Sequence, residues 1–224
     1  MRTVVFDLDG TLADTSGDLI AAANACLGAL GAAEAPLDAA GDATTAFQGG
    51  KAMLALGLGR LGKQAGAAEI DRHYREFLCL YEAAIDTHTR LYPGAMAAVE
   101  ALRREGCRVA ICTNKPERLA RLLLDRLGVL DAFGAVVGAD TLPVRKPDPA
   151  PLRESVRRAG GRPERALLVG DTATDRETSR AAGMPSVLVT FGPGAGAVAD
   201  LAPEATIGHF DELSGVVARL LGAV

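Results

Sequence analysis

Short apolar segments that end in polar clusters recur along this chain, and they limit its possible folds more than any other feature. The segments are rich in Val, Ile and Leu and are separated by longer stretches with helical periodicity. This pattern is typical of βαβ units around a parallel sheet. The segments are residues 3–6, 108–112, 135–137, 166–169 and 186–190. The sequence therefore predicts an α/β fold whose core is a doubly wound parallel sheet.

A long insertion follows the first predicted strand. About a hundred residues separate that strand from the second, several times the length of an ordinary crossover. Within this interval, apolar residues recur at helical spacing near 19–30, 51–61 and 67–84. We therefore predict two domains: a core formed by residues 1–14 and 90–224, and a small helical domain formed by residues 15–89.

Charge and composition exclude several classes of partner and site. The net charge of −4, spread along the chain, gives no electrostatic basis for binding nucleic acid. The longest uncharged stretch, residues 19–33, is too short for a membrane span, and the N-terminus lacks a signal-peptide core. We therefore expect a cytoplasmic protein. The four cysteines lie far apart in apolar contexts and are expected to be buried free thiols.

The strongest local signal for chemistry directly follows the first predicted strand, where the sequence reads Asp7-Leu8-Asp9-Gly10-Thr11. Side chains alternate along extended backbone, so Asp7 and Asp9 are expected to point the same way. Two adjacent carboxylates repel each other, and a bound cation is the usual compensation. The alternative is a simple turn, because Asp and Gly are also turn residues.

Two further predicted strands end in polar clusters, Thr113-Asn114 and the segment from Asp171 to Asp175. The carboxyl ends of parallel strands meet at one edge of the sheet, where ligands bind. Asp171 is a candidate third metal ligand, and Asp175 a brace behind it or a helix N-cap. Lys146, in a proline-rich loop, is either a fixed positive charge beside these acids or a surface lysine. Acids, a cation and an ammonium together favour a phosphoryl ligand.

These motifs resemble, in order and spacing, those of the haloacid dehalogenase superfamily, in its phosphatase branch. The resemblance rests on Asp7-x-Asp9-Gly10-Thr11, Thr113-Asn114, Lys146 and Asp171-x-x-x-Asp175, and it covers essentially the whole chain. It implies a Rossmann-like core with a helical cap and Mg²⁺-dependent hydrolysis of a small phosphate ester. Within the superfamily, the resemblance at residues 92–94, 113–116 and 146–149 implies 2-phosphoglycolate as the substrate.

The resemblance also implies a role for each motif residue. Asp7 is implied to be the nucleophile that forms an aspartyl phosphate, and Asp9 the general acid and then the base. Mg²⁺ is implied to contact an Asp7 carboxylate oxygen, the Asp9 main-chain carbonyl and Asp171. Lys146 is implied to hold Asp7 and the phosphoryl oxygens. The remaining implied contributors are Thr113 and Asn114, which orient phosphoryl oxygens, and Asp175, which supports the site from behind.

The predicted helical domain leaves the substrate open. Where family members carry an Arg before a Gly-containing cap segment, this chain has Gln48-Gly49-Gly50-Lys51, in which Gln48 and Lys51 are candidate replacements. The literal Gly-x-Gly-x-x-Gly at 57–62 follows a helical pattern rather than a strand, which argues against a dinucleotide site. Three alternatives remain: a phosphatase for another metabolite, a sugar phosphate mutase, and a noncatalytic ligand-binding module.

Overall fold

The computed structural model describes residues 1–32, 34–63 and 65–222, apart from the side chain of Ala197. The chain divides into two compact units. The first comprises Met1–Ala13 and the chain from Leu91 onward, and the second comprises Asp14–Arg90. The predicted domains are residues 1–14 together with 90–224, and residues 15–89. Each predicted boundary differs by one residue from that of the compact units. The role of the second unit as a cap stays a prediction.

The first unit is built around a parallel sheet, which confirms the predicted α/β fold class. Among the described residues, six strands form this sheet in the order β5-β4-β1-β6-β7-β8, and β2 and β3 form a separate pair. The strands are β1 Thr3–Phe6, β2 Ala13–Asp14, β3 Arg90–Leu91, β4 Arg108–Cys112, β5 Val136–Val137, β6 Ala166–Gly170, β7 Ser186–Val189 and β8 Ala205–Ile207. Strand β1 is central and lies between β4 and β6.

Helices connect the strands of the first unit and form the second unit. The second unit contains α1 Ser16–Gly28, α2 Ala43–Phe47, α3 Gly50–Arg60 and α4 Ala67–Ala83. The first unit contains α5 Ala95–Arg104, α6 Glu117–Arg126, α7 Ala150–Arg158, α8 Ala173–Ala182, α9 Ala195–Val198 and α10 Leu213–Leu221. Short 3₁₀ turns lie at Leu130–Ala132, Pro163–Arg165, Ala199–Leu201 and Phe210–Glu212.

Strand register places one layer of apolar side chains beneath α7. Val5 lies opposite Ala110 on β4 and Leu168 on β6, so the three side chains share one face of the sheet. All three belong to a buried cluster that includes Leu152 and Val156 of α7. Because the sheet is covered by helices, its strands are buried almost throughout, which explains their continuous apolar sequence.

The Gly-rich segment at 57–62 serves helix packing in the second unit. Gly57 lies within α3, where a Cβ would come 2.2 Å from Leu27 Cδ1 of α1. Gly50, at the start of the same helix, is crowded in the same way by the Phe77 ring of α4. The small residues therefore allow the helices of this unit to approach closely, in agreement with the argument against a dinucleotide site.

The structure corrects one prediction about the cysteines. Cys26, Cys107 and Cys112 are buried free thiols as predicted, but Cys79 is exposed. Its place in α4 explains the difference, because this helix is amphipathic and Cys79 lies outside its buried positions, Phe77 and Tyr81.

Among the described residues, no helix is both long and apolar enough to cross a membrane. The expectations of a cytoplasmic protein and of no nucleic acid partner stay predictions.

Candidate active site

The first strand presents Asp7 at the carboxyl edge of the sheet. The Asp7 main-chain N–H donates to Val169 O of β6 at 2.9 Å, and its Oδ1 accepts from the Leu8 N–H at 2.8 Å. A tight turn follows, in which the Leu12 N–H donates to Leu8 O and Gly10 has a φ of +79°. The segment therefore forms a turn and also presents its acids at the sheet edge, so the two alternatives for this segment are compatible.

Lys146 lies between two of the predicted acids. Its Nζ is 3.0 Å from Asp7 Oδ2 and 2.6 Å from Asp175 Oδ1, and the residue is 3% exposed. Burial lowers the pKa of Lys146, but the charges of Asp175 and Asp7 outweigh this and raise it above its usual value. The surface-lysine alternative is therefore wrong, and Lys146 is a fixed positive charge.

Asp175 organises the start of α8. Its Oδ2 accepts from the N–H and Oγ1–H of Thr172 and from the N–H of Asp171. Thr172 is the N-cap and Asp175 is the third helical residue in a capping box, so the interpretation of Asp175 as the N-cap is wrong. Asp175 Oδ1 accepts a hydrogen bond from Lys146 Nζ. Asp175 therefore holds both the Lys146 ammonium and the main chain of Asp171.

Asp171 lies beside Asp7 at the end of β6. Its Oδ1 accepts from the buried hydroxyl of Thr11 at 2.8 Å. Carboxylate oxygens of Asp7, Asp171 and Asp175 lie within 4.8 Å of one another, and all three residues are buried. The structure thus brings together acids that are up to 168 residues apart in sequence.

The charges of this cluster are not balanced by Lys146 alone. Burial, with the charges of Asp175 and Asp9, raises the pKa of Asp7 to about 6 although Lys146 opposes the change. Burial and the charges of Asp175 and Asp7 likewise raise the pKa of Asp171. When all three carboxylates are ionised, one ammonium leaves two negative charges in excess. Oxygen ligands with this excess charge fit a divalent cation, so these residues could hold a metal.

Thr113 and Asn114 follow β4 at the same edge of the sheet. The Thr113 N–H donates to Val137 O at 3.0 Å, which continues the pairing of β4 with β5. Asn114 Nδ2 donates to Lys146 O at 3.1 Å, so this side chain fixes the loop that carries Lys146. Contacts of Thr113 and Asn114 with phosphoryl oxygens stay predictions.

Two residues near the acids are not among the predicted site residues. Thr11 belongs to the first motif, and its hydroxyl donates to Asp171. Lys115 directly follows Thr113-Asn114, and its Nζ lies 2.8 Å from Asp9 Oδ1. Their place in the sequence could have indicated both residues, because each follows the end of a predicted strand in the same segment as predicted site residues.

Gln48 and Lys51 lie in the second unit. Lys51 forms an ion pair with Asp71 and lies with its Nζ 5.3 Å from the centroid of the Tyr74 ring. A contact of Gln48 or Lys51 with a substrate stays a prediction.

Comparison with known proteins identifies the family. The model of the haloacid dehalogenase-like hydrolases matches residues 1–183. The chain belongs to this family. It is 40% identical over 218 residues to a phosphoglycolate phosphatase of Mesorhizobium japonicum, an alignment covering 97% of this chain and 95% of that protein. The family resemblance expected from the motifs is therefore confirmed, and the chain is a hydrolase of this family.

Two further relatives agree with this assignment. A phosphoglycolate phosphatase of Rhodospirillum rubrum is 41% identical over 220 residues, covering 95% of this chain and 89% of that protein. A crystal structure described as a predicted phosphoglycolate phosphatase from Haemophilus somnus 129pt superposes with a TM-score of 0.80 at 25% identity. It covers 96% of this chain and 97% of the other. The parallel-sheet fold is thus shared along nearly the whole chain.

Proposed function

We propose that this hydrolase is a Mg²⁺-dependent phosphatase that acts on 2-phosphoglycolate through an aspartyl phosphate on Asp7. The observation that carries the proposal is the buried cluster in which Lys146 pairs with Asp7 beside Asp171. The substrate is supported by the phosphoglycolate phosphatases that are about 40% identical over nearly the full chain. Hydrolysis of other small phosphate esters by the same residues is the nearest alternative.

The proposed reaction has two steps. In the first, an Asp7 carboxylate oxygen bonds to phosphorus as the ester oxygen departs, and Asp9 gives that oxygen a proton. In the second, Asp9 takes a proton from water as the water oxygen bonds to phosphorus and the bond to Asp7 breaks. Free phosphate and the restored Asp7 carboxylate are the products. Lys146 keeps Asp7 in place and offsets charge on the phosphoryl oxygens.

Mg²⁺ would be held by the carboxylates of Asp7 and Asp171 and by the main-chain carbonyl of Asp9. When bound, it supplies positive charge that reduces repulsion between Asp7 and a phosphoryl group. Asp175 acts as a brace, because its oxygens already accept hydrogen bonds from Lys146, Thr172 and the Asp171 N–H. Thr113 and Asn114 would orient the phosphoryl oxygens, and the unit of residues 15–89 would act as the cap that excludes water.

The test of this function is free-phosphate release from a panel of esters by the purified full chain in Mg²⁺. The panel contains 2-phosphoglycolate, 3-phosphoglycerate, glucose 6-phosphate and p-nitrophenyl phosphate. We expect kcat/KM for 2-phosphoglycolate to exceed that for the other metabolites by about tenfold or more. Preference for another ester would contradict the substrate. Return of phosphate to a sugar would indicate a mutase, and Mg²⁺ binding without turnover a noncatalytic module.

Mg²⁺ is expected to stabilise the protein, because it offsets the excess negative charge of the acidic cluster. At about 100 times its Kd, a ligand that binds only the folded state adds about 2.7 kcal/mol. For a chain of this size, this corresponds to a rise in Tm of about 5–10 °C. Thermal unfolding with Mg²⁺ or EDTA measures the shift. It should be lost in Asp171→Asn and kept in Asp125→Asn, an exposed control on α6; equal shifts in both variants would contradict the site.

Gly170→Ala is expected to damage the site from behind. A Cβ at Gly170 would lie 2.4 Å from Cβ and Cγ of Asp175, so β6 and the start of α8 must separate. We expect a loss of about 1–3 kcal/mol in the free energy of unfolding, typical of an overpacked core. Hydrolysis should fall about 100-fold, because Asp175 holds Lys146 and Asp171.

Gly215→Ala is the matched control for this change. Gly215 lies in α10, where an added Cβ meets no atom within 4 Å. Alanine is the better helix former, so the control should keep its activity and its Tm or gain slightly in Tm. Full activity in Gly170→Ala would contradict the bracing role of Asp175.

A further inference from the structure

A second buried lysine accompanies the acids at the sheet edge. Lys115 Nζ lies 2.8 Å from Asp9 Oδ1, and the Lys115 side chain is only 3% exposed. The Asp9 side chain is 18% exposed, so this ion pair lies at the edge of the buried cluster. Lys146 meanwhile contacts Asp7 and Asp175. The two acids of the first motif therefore face different ammonium groups.

The main chain around Lys115 is held on both sides. The Lys115 N–H donates to Thr113 Oγ1 at 3.2 Å, and Lys115 O accepts from the Ala139 N–H at 3.0 Å. Gly138 packs closely on this turn, since a Cβ there would lie 2.7 Å from Lys115 O and 2.2 Å from Glu117 N. The ammonium is thus presented to Asp9 from a turn whose backbone is fixed.

We propose that Lys115 is a positioning residue for the proton transfers of Asp9, an inference that rests on the proposed phosphatase function. Lys115 itself gives up no proton. Its contact with Asp9 Oδ1 restrains rotation of the carboxyl group about its side-chain bonds and makes Oδ2 the oxygen that gives and takes the proton. Proton transfer requires heavy atoms within about 2.6–3.2 Å, and a misplacement of about 1 Å costs about 100-fold in rate.

Esters with different leaving groups distinguish a role of Lys115 in positioning Asp9 from a role in binding the phosphoryl group. An alkyl ester such as 2-phosphoglycolate needs a proton on its departing oxygen, whereas the p-nitrophenolate of an aryl ester departs without one. The value of kcat/KM reports the steps up to the departure of the alcohol, so it excludes hydrolysis of the phosphorylated enzyme. An effect of Lys115 through Asp9 should therefore appear in kcat/KM for the alkyl ester only.

The experiment compares kcat/KM of Lys115→Met with the unaltered protein on both esters in Mg²⁺. We expect a loss of about 100-fold on 2-phosphoglycolate, within the range of general acid catalysis, and less than about threefold on p-nitrophenyl phosphate. Lys115→Gln is measured in parallel as a smaller change. Equal losses on the two esters, or no loss on either, would overturn the proposal.

A double-mutant cycle tests whether Lys115 acts through Asp9. Adding Lys115→Met to Asp9→Asn should leave kcat/KM for 2-phosphoglycolate unchanged, and a further loss of tenfold or more would overturn the proposal. The control is Arg2→Met, which removes another buried cation. Arg2 pairs with Glu105 and directly precedes β1, so it lies at the end of this strand opposite to Asp7. If the unaltered protein prefers another alkyl phosphate, the proposed substrate fails, and that ester replaces 2-phosphoglycolate in the same comparison.

Discussion

Asp7→Asn is expected to lower hydrolysis of 2-phosphoglycolate at least about 10⁴-fold, because the amide cannot act as the nucleophile. The variant should remain folded, since asparagine has the same shape and its carbonyl still accepts from the Leu8 N–H. Phosphate release measures the loss. Trapping of a phosphorylated protein by acid quench should succeed with the unaltered chain and fail with the variant. Retention of most activity would contradict the nucleophile assignment.

The same substitution is expected to raise Tm in Mg²⁺-free buffer near pH 8. The folded pKa of Asp7, about 6, is above its ordinary value of 3.8. Ionisation is therefore harder in the folded state, and Asp7 lowers the stability progressively as the pH rises from about 4 through about 6. Asparagine removes this loss, so the gain in Tm should be present at pH 8 and absent near pH 3.5. A lower Tm for Asp7→Asn at pH 8 would contradict this account of the cluster.

Lys146→Met is expected to have the largest effect on stability. It removes the ammonium that pairs with Asp175, a fully buried carboxylate, and with Asp7. Removing one partner of a buried ion pair costs about 3–5 kcal/mol, because an uncompensated charge is left inside the protein. Denaturant unfolding measures this loss. Activity should also fall to the background, because Asp7 loses its partner and the phosphoryl oxygens lose a positive charge.

A second change separates the two effects of losing Lys146. In Lys146→Met with Asp175→Asn, one uncompensated carboxylate is neutralised, so more than half of the lost stability should return. Activity should not return. Lys63→Met, at an exposed lysine of the second unit, is the control and should change neither quantity. Recovery of activity in the double variant would contradict the role of Lys146 at Asp7.

Elements were predictable where apolar segments are continuous, and were missed where polar residues interrupt them. Strands β1 and β4 have the predicted bounds, because each is a buried run that ends at a polar cluster. Strand β8 was missed because its central Thr206 is exposed and interrupts the apolar pattern. Helix α2 was missed because its five residues include two threonines, which are weak helix formers.

The convergence of the site was predictable from the polar clusters that follow parallel strands, but its charge pairing was not. Parallel strands that end in acids bring Asp7 and Asp171 to one edge of the sheet. The partner of each acid depends on how loops return to that edge, and spacing alone does not reveal this. Lys146 and Lys115 follow different strands, and only the folded chain shows that one faces Asp7 and the other faces Asp9.

The central position of β1 has a consequence for biosynthesis. This strand precedes the other strands of its sheet in the chain, yet its neighbours begin at Arg108 and Ala166. Thr11 and Asp171 are 160 residues apart, and a ribosome adding about 5–20 residues per second needs about 8–30 s to span that interval. Until β6 is made, the edge of β1 that pairs with β6 stays unsatisfied, and an exposed apolar edge favours aggregation. Chains released before β6 is synthesised should therefore be both inactive and prone to aggregate.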